Sequence, residues 1–109
     1  KIRTVGLGMC ASMGAFLLSS GTKGMRAATK NCEILIHQPM GGASGQASDI
    51  IIAANHIERM RSRLNNILAS NTGNSVKRIR KDTDRDTILT ADEAKAYGLI
   101  DIVINKAHD

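Results

Sequence analysis

The chain has 109 residues, of which 42% are hydrophobic and 2% aromatic, so it suits one domain with a core of aliphatic side chains and methionine. A formal charge of +5 with so few aromatic residues favours a solvated basic face over an RNA-binding surface, and we expect no nucleic-acid partner. The two cysteines lack the spacing of a metal or disulfide framework, and no apolar run has the length of a membrane span, so we expect no metal and no membrane partner.

The first third of the chain alternates strand and helix patterns. Apolar residues predict a mostly buried strand over Ile2–Cys10, and the run that follows predicts a short helix over Ser12–Ser20. After a glycine turn, a short strand is predicted over Met25–Ala28 and a stronger one over Cys32–His37, which Pro39 ends.

A long helix is predicted over Ala47–Ser70, after a glycine-rich stretch over Met40–Gln46. Apolar residues recur along it at steps of three and four, which places them on one stripe: Ile50, Ala53, Ile57, Met60, Leu64 and Ile67. Further apolar residues lie outside this stripe, so the helix needs a second neighbour, either in the same domain or in a partner subunit. Gly73 is placed to end the helix in the left-handed conformation.

The last third predicts two more helices and a strand. Ser75 is placed to cap a helix over Val76–Lys81, and a polar connector follows at 82–87. Thr90 and Glu93 form a capping box for a helix over Ala91–Tyr97, and a strand is predicted over Leu99–Ile104. Strands that alternate with helices indicate an α/β fold with parallel pairings.

Ser12 is a candidate nucleophile, because it lies between small residues where the strand pattern changes to the helix pattern. A serine on a sharp strand-to-helix turn exposes its hydroxyl beside the free N–H groups of a helix N-terminus. The alternative is a small residue packed at a tight turn. A serine nucleophile needs a base, and His37 is the candidate because it ends a strand, whereas His56 falls in the long helix and His108 in the tail.

The carboxylate that would orient the histidine is less well defined. Asp82, Asp84 and Asp86 lie in one connector, and their spacing alone selects none of them. They alternate as in a calcium loop, but Arg85 interrupts them and the required glycine and closing glutamate are absent, so we expect no calcium site.

Three segments closely resemble the proteolytic subunit of the Clp (caseinolytic) ATP-dependent protease family, a family of serine peptidases: Ala11–Leu18, Ile36–Ala47 and Lys81–Asp86. Thr90–Asp101 is similar to the final helix and strand of that family. The resemblance implies an α/β fold of the Clp protease/crotonase type, with repeated β-β-α units and a long handle helix. It also implies a serine endopeptidase that hydrolyses unfolded proteins to peptides inside a barrel chamber.

The resemblance assigns roles to individual residues. Ser12 matches the nucleophile, His37 the general base, Asp86 the orienting carboxylate and the backbone N–H of Met13 one oxyanion donor. The strand that lines the peptide groove corresponds to Pro39, Met40, Gly41 and Gly42. Gln46 and Arg85 match residues used in contacts between subunits.

The resemblance also implies an assembly. Family members form two stacked seven-subunit rings fed by an AAA+ Clp unfoldase that spends ATP, so the subunit itself needs no cofactor. The N-terminal part of the family subunit is not in this sequence, and we interpret residues 1–109 as one domain, the C-terminal portion of such a subunit. The expected compartment is the cytoplasm, or the mitochondrial matrix or plastid in a eukaryote. The alternatives are a non-catalytic structural paralogue in the same ring and a crotonase-like acyl-CoA enzyme.

Overall fold

Two three-stranded sheets and four helices make up the part of the chain that the computed structural model describes, residues 1–37 and 47–105, the side chains of 47–49 excepted. The strands are β1 (Thr4–Gly6), β2 (Met9–Ala11), β3 (Arg26–Thr29), β4 (Glu33–Ile36), β5 (Thr87–Thr90) and β6 (Ile102–Ile104). The helices are α1 (Met13–Ser19), α2 (Ala47–Thr72), α3 (Val76–Thr83) and α4 (Ala91–Tyr97). Within the described ranges, no helix has the length and hydropathy that a membrane crossing requires.

The N-terminal segment of the chain supplies β1 to the first sheet and β2 to the second, and the two sheets differ in the relative directions of their strands. The first sheet has the order β1-β3-β6 and is parallel throughout. The second has the order β2-β4-β5, in which β2 and β4 are parallel and β4 and β5 are antiparallel. The predicted α/β class with parallel pairings is confirmed, and β5 is an additional, unpredicted strand that begins at Thr87, the last residue of the predicted polar connector.

The single strand predicted over Ile2–Cys10 is wrong, because this segment forms β1 in one sheet and β2 in the other. Gly8 lies between them with φ of 68°, a left-handed conformation that glycine adopts without steric cost. Its carbonyl accepts a hydrogen bond from the Glu33 N–H at 2.9 Å. The turn at Gly8 therefore separates the strand in the first sheet from the strand in the second, and α1 begins five residues later, at Met13.

The core is aliphatic, as the composition predicts, and Tyr97 is its one aromatic member among the described residues. Buried residues from both sheets and all four helices meet in it, including Leu18, Ile34, Leu68, Ile79, Leu99 and Ile100. Cys32 is buried there and Cys10 packs against it, both as free thiols. Burial, and secondarily the neighbouring Cys10, raise the pKa of the Cys32 thiol to about 11.

Helix α2 is covered by the rest of the structure only near its C-terminal end. Leu68 and Ala69 are buried there, whereas Ile51 and Ile52 near its start are 61% and 65% exposed. None of the six residues of the predicted stripe is buried, since three are exposed and three half-buried, whereas the buried Asn65, Leu68 and Ala69 lie outside the stripe. The helix ends at Gly73, whose φ of 75° confirms the predicted left-handed terminus.

A buried ion pair that the sequence did not predict ties four elements together. Arg26 on β3 is 4% exposed and makes paired hydrogen bonds of 2.8 Å from Nε and from Nη2 to the Asp101 carboxylate. Its Nη1 also donates to the carbonyls of Ser19 and Asn71, at the C-terminal ends of α1 and α2. Hydrogen bonds from Arg26 hold the pKa of Asp101 well below its usual value, so the carboxylate stays charged near neutral pH.

Candidate active site

Ser12 is held in a conformation that side chains other than glycine rarely adopt. Its φ is 58° and its ψ is −116°, and among the described residues it is the one non-glycine residue with a positive φ. The surrounding backbone fixes it, since its N–H donates to the Leu35 carbonyl at 3.0 Å and its carbonyl accepts from the Phe16 N–H at 3.1 Å. Such backbone strain costs about 1–3 kcal/mol and is concentrated at functional sites.

The hydroxyl of Ser12 faces away from the helix that it precedes. A serine at the N-cap position ordinarily accepts a hydrogen bond from the first turn of the helix, but Ser12 makes no such bond to α1. Instead, its Oγ lies in short hydrogen-bonding contact with His37 Nε2. The sharp turn therefore directs the hydroxyl toward an imidazole that is 25 residues further along the chain.

Parallel strand pairing brings Ser12 and His37 to the same edge of the second sheet. Ala11 at the end of β2 pairs with Leu35 near the end of β4. Ser12 follows β2 and His37 follows β4, so both leave the carboxyl ends of neighbouring parallel strands, where clefts in α/β proteins commonly form. Both side chains are half-buried.

Asp86 lies at the same edge of the second sheet, next to its third strand, β5. It is the residue before β5, and β5 pairs with β4 so that Thr87 faces Ile36. The loop that leads to it is closed by Thr87 Oγ1, which donates to the Asp82 carbonyl at 2.5 Å. The side chain of Asp86 is exposed, and its position at the end of the ladder corresponds to that of His37 on β4.

The other two aspartates of the connector have different surroundings. Asp82 accepts a hydrogen bond of 2.7 Å from the Tyr97 hydroxyl and lies 3.7 Å from Arg78 Nε. Burial, together with the Asp82 carboxylate, raises the pKa of Tyr97. Asp84 follows the last residue of α3 as its exposed C-cap. The structure thus distinguishes three aspartates that the sequence spacing left equivalent.

A cavity of about 290 Å³ opens beside the Ser12–His37 pair. Its wall is largely apolar, and it is lined by Ser12, Met13, Phe16, Ile36, His37, Met60, Leu64, Asn65, Leu68 and Thr83. Helices α1, α2 and α3 all contribute to it. A side chain of moderate size next to the hydroxyl would be removed from water in this space.

Asn65 and Thr83 are the site residues that sequence reasoning missed. Both are buried and both line the cavity. Asn65 is followed by a second asparagine, Asn66, which is exposed, and the sequence contains nothing that separates the two. Only the rotation of α2 against α1 and α3 shows which amide faces inward.

The remaining predicted residues are placed as follows. Met13 is the first residue of α1, where a backbone N–H has no partner inside the helix, and Arg85 is an exposed residue next to Asp86. His56 lies on α2, as predicted, and it is exposed. Pro39, Met40, Gly41, Gly42 and Gln46 lie outside the described residues, as does His108.

The arrangement suits proton transfer between a hydroxyl and an imidazole. Within residues 1–37 and 47–105, no group of three or more histidine, cysteine, aspartate or glutamate side chains is placed to hold a metal ion. A serine hydroxyl becomes an effective nucleophile when a neighbouring base accepts its proton, and His37 Nε2 is in contact with the Ser12 hydroxyl.

Comparison with known families identifies the family of the chain. A family model described as Clp protease matches residues 1–107, which is nearly the whole chain and includes every element described above. The members of that family are peptidases. The chain therefore belongs to the Clp protease family.

Proposed function

We propose that this chain carries the catalytic triad of a serine-type Clp peptidase, with Ser12 as nucleophile, His37 as general base and Asp86 as the carboxylate that orients His37. The observation that carries the proposal is the direct contact of Ser12 Oγ with His37 Nε2. The strained backbone of Ser12 supports it, because a residue that only filled space at a turn would gain nothing from that conformation.

The chemistry follows from the positions of these groups. Ser12 Oγ attacks the carbonyl carbon of a peptide bond while its proton passes to His37 Nε2. The backbone N–H of Met13 donates to the oxygen on which negative charge develops. His37 then returns the proton to the departing amine as the C–N bond breaks, leaving an acyl group on Ser12. A water molecule, deprotonated by His37, releases the acyl group and restores the hydroxyl.

Asp86 acts through His37. A carboxylate that accepts a hydrogen bond from Nδ1–H fixes the tautomer with a lone pair on Nε2 and stabilises the imidazolium that forms. The location of Asp86 at the same end of the sheet as His37 supports this role. Because Asp86 is exposed and follows a loop of polar residues, its alignment with His37 is open to influence from neighbouring chains.

The finer features of the resemblance belong to the same proposal. In this proposal, α2 is the handle helix of a subunit with repeated β-β-α units. Two seven-subunit rings stack on each other, and the exposed N-terminal part of α2 packs against a partner subunit of the other ring. Arg85 and Gln46 make contacts between subunits, and residues 39–42 pair with the substrate backbone. An AAA+ Clp unfoldase feeds unfolded protein into the chamber. The exposed isoleucines near the start of α2 support an assembly, since exposed apolar faces of this kind mark interaction surfaces.

Peptide hydrolysis by the complete subunit tests the proposal. Ser12→Ala and His37→Ala should each abolish nearly all turnover, because the members of a triad act as a unit. Ser20→Ala is the matched control, since Ser20 is an exposed serine at the other end of α1 whose hydroxyl bonds to the Phe16 carbonyl and to the Asn71 amide. Retention of wild-type turnover by both Ser12→Ala and His37→Ala would refute the proposal.

A further inference from the structure

The loop that carries Asp86 is held at both ends by the secondary structure on either side of it. The Asp86 side chain is exposed, so its position depends on the backbone that leads into it and out of it. On one side, Thr87 begins β5 and pairs with Ile36 of β4. On the other side, the loop starts from the last turn of α3, which contains Asp82. The placement of Asp86 therefore depends on how β5 and the end of α3 are held together.

The Thr87 hydroxyl joins these two ends. Its Oγ1 donates to the Asp82 carbonyl at 2.5 Å and lies 3.5 Å from the Arg85 carbonyl oxygen. A hydrogen bond between residues that flank a short loop limits the conformations open to the residues inside it. A displacement of Asp82 would therefore change the path of the loop at Asp86, which directly precedes Thr87.

The Asp82 side chain is in turn held by Tyr97 at the end of α4. Tyr97 is 7% exposed, and its hydroxyl donates to Asp82 Oδ2 at 2.7 Å. Arg78 lies over the Tyr97 ring, 4.7 Å from its centroid, and its Nε is 3.7 Å from the same carboxylate oxygen. Burial, and secondarily Asp82, raise the pKa of Tyr97, so the phenol keeps its proton and remains a donor at neutral pH.

The backbone of Tyr97 is fixed as well as its hydroxyl. Asn74 Nδ2 donates to the Tyr97 carbonyl at 2.6 Å, and Arg78 Nη1 donates to Asn74 Oδ1 at 2.8 Å. A buried phenol requires a hydrogen-bond partner, and here the partner is the residue on which the loop of Asp86 closes. A continuous series of hydrogen bonds thus runs from the core through Tyr97, Asp82 and Thr87 to the residue next to Asp86.

We propose that Tyr97 is a positioning residue, which holds Asp86 within reach of His37 through Asp82 and Thr87. This inference rests on the proposed function. Tyr97 itself contacts neither the substrate nor the reacting atoms. Loss of its hydroxyl frees the Asp82 side chain and the loop that closes on Asp82, so the Asp86 carboxylate is aligned with the Nδ1–H of His37 for less of the time.

The test is peptide hydrolysis by the complete subunit with Tyr97→Phe, which removes the hydroxyl and keeps the ring in the core. We expect kcat to fall by between about 10- and 100-fold, because a small misplacement of a catalytic group has an effect of this size. KM should change less than about twofold, because neither Tyr97 nor Asp82 lines the cavity beside Ser12. In an Asp86→Asn background, Tyr97→Phe should cause no further fall in kcat, since the carboxylate that it positions is gone.

Thr90→Ala is the matched control, because it removes the cap at the other end of α4 and leaves the Tyr97–Asp82 hydrogen bond in place. It should lower the thermal midpoint of the subunit and leave kcat unchanged. If Tyr97→Phe does not fold, as judged by circular dichroism, Thr87→Val breaks the next link and should lower kcat in the same way. Thr87→Ser, which restores the hydroxyl, should recover most of that loss.

Two results would overturn this inference and leave Ser12 and His37 in their proposed roles. One is a natural kcat in folded Tyr97→Phe, or in Thr87→Val where that variant replaces it. The other is an equal fall in kcat with and without the Asp86 carboxylate, which would make the effect of Tyr97 independent of Asp86. Hydrolysis that does not depend on Ser12 overturns the proposed function instead, and this inference with it.

Discussion

Ile36 on β4 faces Thr87 on β5 in the last pair of their antiparallel ladder, and the chain continues from that pair into His37 on one side and Asp86 on the other. A histidine and an aspartate that are 49 positions apart in the sequence thus leave the sheet at one end. Ser12 reaches the same end from β2, on the other side of β4. The order of three short strands is what brings the proposed triad to one edge.

The first prediction concerns Asp86. Asp86→Asn should lower kcat for peptide hydrolysis by about 10³–10⁴, because an amide neither fixes the correct tautomer of His37 nor stabilises its imidazolium. Steady-state kinetics on the complete subunit measure the effect. Asp84→Asn is the control, since Asp84 is an exposed aspartate two residues away that follows α3. Equal effects of the two substitutions would remove Asp86 from the triad.

The second prediction concerns the ion pair of Arg26 with Asp101. Asp101→Ala should destabilise the fold by about 3 kcal/mol, because it leaves the buried Arg26 guanidinium without its carboxylate. Urea unfolding followed by circular dichroism measures the loss. The control is Glu58→Gln, which breaks the solvent-accessible pairs of Glu58 with Arg80 and with Arg61 and should cost less than about 1 kcal/mol. Similar costs for both substitutions would show that Arg26 is not anchored as described.

The third prediction concerns how the stabilisation by the Arg26–Asp101 pair depends on pH. The folded state holds the pKa of Asp101 below the unfolded value of 3.8, so the unfolded chain binds the proton first as the pH falls. The stabilisation is therefore complete above about pH 4 to 5 and decreases as the pH drops through and below 3.8 toward the folded pKa. The free energy of unfolding of the natural chain should decrease more steeply between pH 5 and 3 than that of Asp101→Asn. Parallel curves would contradict the assigned cause.

The fourth prediction separates two glycines that both have a positive φ. A Cβ at Gly98 would lie 2.1 Å from the Thr72 carbonyl oxygen, whereas a Cβ at Gly73 would meet nothing within 4 Å. Gly73→Ala should cost about 1 kcal/mol from backbone strain alone. Gly98→Ala should cost at least about 2 kcal/mol more, because the end of α2 must move away from α4. Thermal unfolding of the two variants compares them, and equal midpoints would be inconsistent with this packing.

Features with a local chemical cause were predictable from the sequence. The capping box of Thr90 and Glu93 is confirmed, with Thr90 Oγ1 accepting from the Glu93 N–H and the Glu93 carboxylate accepting from the Thr90 N–H. Ser75 caps α3 as predicted, by accepting from the Arg78 N–H. The sharp turn at Ser12 was also anticipated, because small residues there separate two apolar patterns of different period.

Features that depend on contacts between distant parts of the chain could not be predicted from the sequence. Strand β5 is four residues long and exposes Ile88, so its pattern is too short to distinguish it from a connector. Arg26 and Asp101 are 75 positions apart, and no sequence pattern near either residue predicts their ion pair. The inward direction of Asn65 depends on how α2 packs against two other helices, which no local pattern of α2 specifies.

Ser12 is tested as the nucleophile most directly by covalent labelling of the complete subunit with a fluorophosphonate, with the modified residue mapped by mass spectrometry. We expect a phosphonyl group on Ser12 and much weaker labelling in His37→Ala, because the imidazole in contact with the Ser12 hydroxyl activates it. A non-catalytic paralogue would not be labelled. An unmodified Ser12 in a preparation that hydrolyses peptides would show that Ser12 is not the nucleophile.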